Sequence, residues 1–326
     1  METVLISILV SLIVFLGVLI SIAFLTLIER KLISAIQNRK GPNTVGFLGI
    51  LQPFADALKL LAKETIFPRN ARLVIFILSP LISLFFALIS WGFIPFSYTA
   101  VIADFNIGIF FIFTMSIIHI YGIILSGWSS NSRYSFLGSI RSTAQLVAYD
   151  ISIALIISTL AIYSNSFSLL DIVEVQDRNG YFVFYVPLLF ILFLISSLAE
   201  TNRHPFDLPE AESELVGGFN TEYSSSYFAF FFLGEYCSIL LMVFLINHLF
   251  LGGWTAFEDS LFASNLFYLF KFLVIYYFFI FIRAAIPRYR YDQLMRLGWK
   301  IILPLCLVMF FICAVSVSLV GGLFFI

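Results

Sequence analysis

Residues 4–28 read VLISILVSLIVFLGVLISIAFLTLI, and Glu29, Arg30 and Lys31 follow at once. The run is uncharged and longer than the roughly 20 residues with which a helix crosses a bilayer. It is also too long for a signal peptide, and no basic stretch precedes it. The charged triplet would stop further insertion, so the pattern predicts a transmembrane helix.

Composition extends this prediction to the whole chain. Hydrophobic residues make up 61% of the 326 residues, charged residues 11%, and the mean hydropathy is +1.03. A soluble domain could not hydrate such a surface, and helices are the default in lipid because unpaired backbone groups are costly there. We predict an all-α polytopic membrane protein, a single domain over residues 1–326, with about eight spans. The spans are expected near 4–28, 72–94, 105–127, 143–163, 182–199, 224–247, 265–286 and 300–325.

Basic residues alternate between the connecting segments. Eight Lys or Arg residues lie within 29–72 and five within 283–300, whereas the connections on the opposite side hold only Arg178. Lys and Arg concentrate on the cytoplasmic or matrix face of membrane proteins. This asymmetry places both termini on the side that is poor in positive charge.

The segment 200–222 carries six carboxylates between two apolar runs. They are Glu200, Asp207, Glu210, Glu212, Glu214 and Glu222. The fixed positive charge of this segment is Arg203 alone. Neighbouring carboxylates raise one another's proton affinity, because like charges disfavour joint ionisation. The segment therefore indicates proton handling, or a site for a molecule that carries protons.

Two acids, Asp150 and Glu235, fall inside predicted spans. A charge in the middle of a membrane costs about 3 kcal/mol unless it is paired or hydrated. The two could be neutral, hydrogen-bonded acids that fix helix packing. A proton pathway is the alternative that we favour, because both spans begin on the side that holds the acidic segment.

Two further segments each allow two interpretations. Residues 52–64 form a short amphipathic helix, with Phe54, Leu58 and Leu61 on one face, suited to the membrane interface. It could be a surface anchor or one side of a doorway for a lipid-soluble ligand. The basic, tyrosine-containing stretch 283–300 could reflect positive-inside topology alone, or it could dock a soluble partner.

The sequence offers no pattern for a resident redox group. Cys237, Cys306 and Cys313 share no CxxC spacing, and His119 has no facing histidine at a comparable depth. We expect no metal, haem, flavin or iron–sulfur cluster on this chain, and no nucleic-acid partner. Any catalytic share would lie in admitting, positioning and sensing a substrate.

Several stretches of the sequence resemble one known protein family. The strings SGWSSNSRY (126–134), ETNRHPFDL (200–208) and RYRYDQLM (288–295), with Glu29-Arg30-Lys31 and segments 41–46 and 52–64, resemble the first membrane subunit of mitochondrial NADH:ubiquinone oxidoreductase, respiratory complex I. The bacterial counterpart of that protein is called the H subunit. The resemblance covers nearly the whole chain in order. The membrane subunits of energy-converting hydrogenases share a weaker version of the pattern.

The resemblance implies roles for named residues. The quinone tunnel would be lined or gated by Glu29, Arg30, Arg39, Asp56, Phe228, Phe232 and Arg283. The proton-linked path would comprise Asp150, Glu200, Asp207, Glu210, Glu212, Glu214 and Glu235. Arg203 would neutralise part of the acidic segment, and Arg288 with Asp292 would hold the peripheral arm.

The resemblance also implies partners and a location. Ubiquinone would be the bound substrate. The partners would be the peripheral-arm subunits of the quinone site and terminal iron–sulfur cluster, small proton-pumping membrane subunits, and lipid. The membrane would be the mitochondrial inner membrane, or a bacterial plasma membrane. An ion-coupled transporter and a passive membrane anchor remain rival interpretations. Asp150 stands where the family usually has Glu, and His204 where it usually has a small residue.

Overall fold

The computed structural model describes residues 2–97, 101–207, 216–255 and 261–319, and the regular structure within these ranges is entirely helical. The α-helices are α1 (Glu2–Ile36), α2 (Gln52–Ala62), α3 (Leu73–Ile89), α4 (Gly108–Ser129), α5 (Arg133–Ser164), α6 (Leu169–Asn179), α7 (Phe182–Tyr185), α8 (Pro187–Glu200), α9 (Ser225–Phe250), α10 (Leu261–Ala285), α11 (Tyr291–Arg296) and α12 (Leu303–Leu319). A π-helix, Leu297–Ile302, joins the last two. The prediction of an all-α polytopic membrane protein is confirmed.

Seven apolar helices in the described ranges are long enough to cross a membrane. They are Val10–Ile36, Leu73–Phe93, Gly108–Ser129, Arg133–Ser164, Ser225–Phe250, Ser264–Ala285 and Tyr291–Leu319. The fifth predicted span, 182–199, is different, because it is divided into α7 and α8 at Val186. Proline disfavours the α conformation of the residue before it, so Pro187 starts a new helix. With 14 residues, α8 extends only about 21 Å.

The fifth helix begins ten residues earlier than the predicted span at 143. The apolar pattern misses this start because residues 133–142 are rich in Ser, Gly and Arg. These residues are helical because the backbone of another segment packs against them. A Cβ atom on Gly138 would lie 2.6 Å from the Cα atom of Gly218, so glycine permits the close approach.

The segments that carry most of the charge meet at one end of the helix bundle, called the basic end below. The Ser225 hydroxyl at the start of α9 donates hydrogen bonds to the carbonyl oxygens of Leu60 (3.1 Å) and Lys63 (2.6 Å). The Tyr289 amide donates to the Pro205 carbonyl at 3.1 Å. Segments 29–72, 200–224 and 283–296 are thereby brought together, although up to about 250 residues of chain separate them.

The opposite end holds a buried cation. Lys271 is 7% exposed, and its ammonium donates to the carbonyl oxygens of Leu251 (2.6 Å), Gly253 (3.2 Å) and Thr255 (2.9 Å). These carbonyls follow the end of α9. A positive charge at a helix C-terminus complements the helix dipole, so Lys271 is explained as a cap for α9.

Candidate functional site

A buried carboxylate at the basic end collects three partners. Glu29 lies two turns before the end of α1 and is 4% exposed. Its Oε1 atom accepts hydrogen bonds from Arg203 Nη1, at 2.5 Å, and from Arg283 Nη1. Its Oε2 atom accepts one from the Tyr236 hydroxyl at 2.7 Å. We call Glu29, Arg203, Tyr236 and Arg283 the Glu29 cluster.

The Arg203 guanidinium is nearly as buried as the acid it serves. Its side chain is 16% exposed, and its guanidinium carbon lies 4.4 Å from the centre of the Tyr236 ring. Burial alone would lower the pKa of Arg203, but the carboxylate of Glu29 raises it above its usual value, so the guanidinium stays charged. The cluster therefore holds two positive charges and one negative charge.

This pairing differs from the predicted role of Arg203. Among the described residues it pairs with Glu29 and not with an acid of segment 200–222, because it follows the end of α8 and faces the buried acid on α1. The ion pair of that segment comes from Arg288, whose Nη2 atom lies 2.9 Å from Asp207 Oδ2. Arg288 was predicted to hold the peripheral arm, and in this chain it holds Asp207. The acids Glu210, Glu212 and Glu214 lie outside the described residues.

The other charged residues predicted for the quinone site are Arg30, Arg39 and Asp56. Arg30 Nη1 forms an ion pair with Asp56 Oδ2 at 2.6 Å, and both side chains are at least one third exposed. Arg39 is exposed and donates to the side chain of Gln37 at 2.8 Å. The pair and Arg39 thus lie outside the Glu29 cluster.

Two predicted aromatic residues approach the cluster from α9. The rings of Phe228 and Phe232 stack with centres 6.3 Å apart. Phe232 continues to Tyr236, with ring centres 4.6 Å apart. The spacing of four residues puts all three rings on one face of the helix.

Two small neighbouring cavities are lined by residues of the cluster and by buried acids. The first, of about 40 Å³, is called the outer cavity; its lining includes Arg203, Asp207, Phe232, Tyr236 and Arg283. The second, of about 30 Å³, is called the inner cavity; its lining includes Ser116, His119 and Glu200. Both are also lined by Thr201, Asn202 and Glu235. Each has room for one or more water molecules.

The remaining predicted acid, Asp150, extends this arrangement from α5. Asp150 is 5% exposed and Glu200 is 8% exposed. Asp150 Oδ1 and Glu200 Oε2 are buried and have no hydrogen-bond partner among the described residues. Glu235 lines a cavity with Asp207 and another with Glu200, whereas Asp150 lines neither, and the proton path through these acids stays a prediction.

Sequence reasoning missed two residues that build the site. Tyr236 completes the shell of Glu29, and its signal was its place beside Glu235 and four residues after Phe232. Gln145 is fully buried, and its side-chain amide donates to the carbonyl oxygens of Ala199 (2.7 Å) and Phe206 (2.8 Å). It fixes the turn that carries Arg203, and its signal was an uncharged polar residue within an apolar helix.

A larger groove runs along the bundle. It has a volume of about 540 Å³ and lies between α1, α9 and α10. Its lining is almost wholly apolar and includes Gly17, Phe24, Ile28, Phe244 and Leu273. The lining extends along α1 as far as Ile28, the residue before Glu29, and holds no residue of the Glu29 cluster.

The described residues include no group of three His, Cys, Asp or Glu side chains placed to bind a metal ion. Asp292 at the start of α11 is exposed, and the neighbouring Tyr291 ring lies 5.9 Å from the guanidinium of Arg141. The predicted docking stretch thus presents charged side chains at the surface of the basic end.

Comparisons with known proteins agree on one family. A family model described as NADH dehydrogenase matches residues 9–314. The H subunit of NADH-quinone oxidoreductase from Paramagnetospirillum magneticum is 50% identical over 296 residues, which is 90% of this chain and 86% of the relative. NADH-ubiquinone oxidoreductase chain 1 of Chondrus crispus is 50% identical over 313 residues, 94% of this chain and 96% of the relative. The corresponding chain 1 of Cyanidium caldarium is 51% identical over 293 residues, 89% and 85% of the two chains.

Proposed function

The chain belongs to the NADH dehydrogenase family as a membrane subunit of NADH:quinone oxidoreductase, and from this premise we propose that it admits ubiquinone and couples its reduction to proton translocation. The observation that carries this proposal is the pair of cavities that share Glu235. They join a charged cluster, suited to a quinone headgroup, to acids buried within the bundle.

The large groove supports the first half of the proposal. An isoprenoid tail is a long apolar chain, and it needs an apolar channel open to lipid. The groove between α1, α9 and α10 has such a lining, which extends to Ile28, the residue before Glu29. A tail in this groove would bring the headgroup towards Arg203 and Arg283.

The net charge of the Glu29 cluster supports the second half of the proposal, the coupling of quinone reduction to proton translocation. Quinone reduction consumes two electrons and two protons, so the charge at the headgroup changes unless protons arrive in step. The Glu29 cluster already carries one surplus positive charge, which would stabilise a reduced, anionic headgroup. A charge change there acts on Asp207 and Glu235 across the outer cavity, and Glu235 also borders the inner cavity with Glu200. The protonation of these acids would thereby follow the redox state of the quinone.

The sharpest test of the tail position uses Gly17. An added Cβ atom at Gly17 would meet no heavy atom within 4 Å, so a large side chain there enters the groove without displacing neighbours at its base. Gly17→Trp should raise the KM for a quinone with a long isoprenoid tail and leave the KM for a short-tailed analogue nearly unchanged. Steady-state NADH:quinone kinetics on membranes measure both values.

The matched control is Leu16→Trp on the same helix, because Leu16 is 55% exposed and does not line the groove. It should leave both KM values unchanged. Equal KM values for both quinones in Gly17→Trp would contradict the tail position, and equal rises in both variants would point to a general disturbance of α1.

We further propose that the basic end faces the peripheral arm. The exposed Arg290, Asp292 and Arg296 fit a docking surface for the subunits of the quinone site and terminal iron–sulfur cluster. The apolar face of α2, where Phe54 and Leu58 are 46% and 67% exposed, fits lipid beside the groove entrance. Relatives named as chain 1 support the mitochondrial inner membrane as the location.

The rival interpretations are less well supported. The family match favours a subunit of NADH:quinone oxidoreductase over an ion-coupled transporter or a membrane subunit of a hydrogenase. A passive anchor has no need for acids that border two linked cavities. Neutralising Glu235 would leave turnover unchanged in an anchor and would lower it in a coupling subunit.

A further inference from the structure

His119 on α4 is a titratable residue that the proposed path has not used. Its ring lines the inner cavity together with Glu200, from the end of α8, and Glu235, from α9. These three are the titratable groups among the described residues of that lining. The other polar side chains there are those of Ser90, Ser116, Thr201, Asn202 and Ser238.

The surroundings of His119 determine which ring nitrogen holds the proton. Nδ1 lies 2.9 Å from the carbonyl oxygen of Ser83 on α3. A carbonyl oxygen can only accept a hydrogen bond, so Nδ1 is the protonated nitrogen. In the neutral ring Nε2 then carries the lone pair and is the atom that can take up a further proton.

Two neighbours adapt the site to this ring. A Cβ atom on Gly234 would lie 3.4 Å from His119 Cε1, an ordinary contact distance, so the ring lies against α9 next to Glu235. One turn before His119, Ser116 lines the same cavity as Glu200. The face of α4 that carries Ser116 and His119 therefore meets both acids of the inner cavity.

We propose that His119 is a proton relay between Glu235 and Glu200, an inference that rests on the proposed coupling function. Nε2 takes a proton from the carboxylic acid of Glu235, which becomes a carboxylate, and the ring becomes an imidazolium. The same nitrogen then releases that proton, directly or through water in the cavity, to the carboxylate of Glu200. The Nδ1–H bond to Ser83 is kept throughout, so the ring holds its position while the proton passes.

The test separates a relay from a packing role by replacing His119 in two ways. In His119→Asn the amide nitrogen takes the place of Nδ1 and keeps the bond to Ser83, but the side chain has no nitrogen that can be protonated in place of Nε2. His119→Ala loses both functions. The relay predicts that quinone-linked turnover falls at least about tenfold in both variants. This threshold lies below the usual contribution of general acid–base catalysis. NADH oxidation by an artificial acceptor should stay at the wild-type rate.

A second readout responds to proton transfer and not to packing. In His119→Asn the solvent deuterium isotope effect on quinone-linked turnover should rise above the wild-type value, because proton transfer becomes rate-limiting. Tyr121→Phe on the exposed side of α4 is the control and should change neither quantity.

Glu235→Gln, measured in the same membranes, distinguishes failure of the relay from failure of the coupling function. Wild-type turnover and isotope effect in His119→Asn, with slow turnover in Glu235→Gln, would overturn the relay and leave the coupling function standing. Wild-type behaviour in both would overturn both. If the complex failed to assemble in both His119→Asn and His119→Ala, His119 would have a structural role. This outcome would also overturn the relay.

Discussion

Replacing Glu29 by Gln would remove the single negative charge of the Glu29 cluster. Glu29 and Arg203 have side chains 5% and 16% exposed, so the charge of Arg203 would lose its partner without gaining water. Removing one member of a buried ion pair costs about 3 to 5 kcal/mol of the free energy of unfolding. Arg283 is 34% exposed, so solvent can replace much of its interaction with Glu29.

This asymmetry predicts the outcome of two double variants. Glu29→Gln with Arg203→Gln should recover stability to within about 2 kcal/mol of wild type, because the buried charge disappears with its partner. Glu29→Gln with Arg283→Gln should recover less than about 1 kcal/mol. Arg30→Gln breaks the exposed pair with Asp56 and is the control, expected to cost at most about 1 kcal/mol.

The assay follows release of this chain from the purified complex on native gels across a denaturing-detergent series. The midpoint and slope of each variant give its change in stability relative to wild type. The reasoning about Glu29 would be refuted by a single variant within about 1 kcal/mol of wild type, or by an Arg203→Gln substitution that further destabilises Glu29→Gln.

Three further predictions concern residues outside the Glu29 cluster. Lys271→Met leaves three buried carbonyl oxygens without their donor, at about 1 to 3 kcal/mol each, and should sharply reduce the amount of assembled complex on native gels. Tyr223→Phe keeps the ring but loses the hydroxyl that lies 2.8 Å from Ser79 Oγ, and should cost about 1 to 2 kcal/mol in the same detergent series. Burial, with the charge of Arg288, lowers the pKa of His204 below its ordinary 6.5, so its protonation favours the unfolded chain. Its stabilising share is therefore present above pH 6.5 and lost as pH falls through the lowered pKa. Thermal inactivation midpoints should fall less between pH 7 and pH 5 in His204→Ala than in wild type; equal losses would contradict this.

Local features of the sequence were enough to predict the architecture. Apolar runs of about 20 residues identify spans because the bilayer demands them, and this holds even where Asp150, Glu235 or Lys271 interrupts the run. The break at Val186 was not predicted, although Pro187 follows it. The early start of α5 was not predicted either, because its glycine- and serine-rich first turns are held by the backbone around Gly218, more than 70 residues away in sequence.

The site was predicted in its residue types but not in its pairings. The acids and arginines stood out because charges are rare in this chain. Their partners depend on which helix ends meet, and Glu29 is 174 residues from Arg203 and 254 from Arg283. No periodicity within a helix carries that information. Among the described residues Arg203 pairs with Glu29, and its predicted role towards the acidic segment stays a prediction.

The coupling role of the buried acids is tested most directly by the number of protons pumped per NADH oxidised. The assay uses sealed vesicles that hold wild-type complex, Glu235→Gln, Asp150→Asn or, as a control, the exposed Asp104→Asn. Glu235 borders both cavities and Asp150 borders neither, so Glu235→Gln should lower quinone-linked turnover or the pumping ratio more than Asp150→Asn. NADH oxidation by an artificial acceptor should be the same in all four. Unchanged pumping ratio and turnover in both Glu235→Gln and Asp150→Asn would contradict the account.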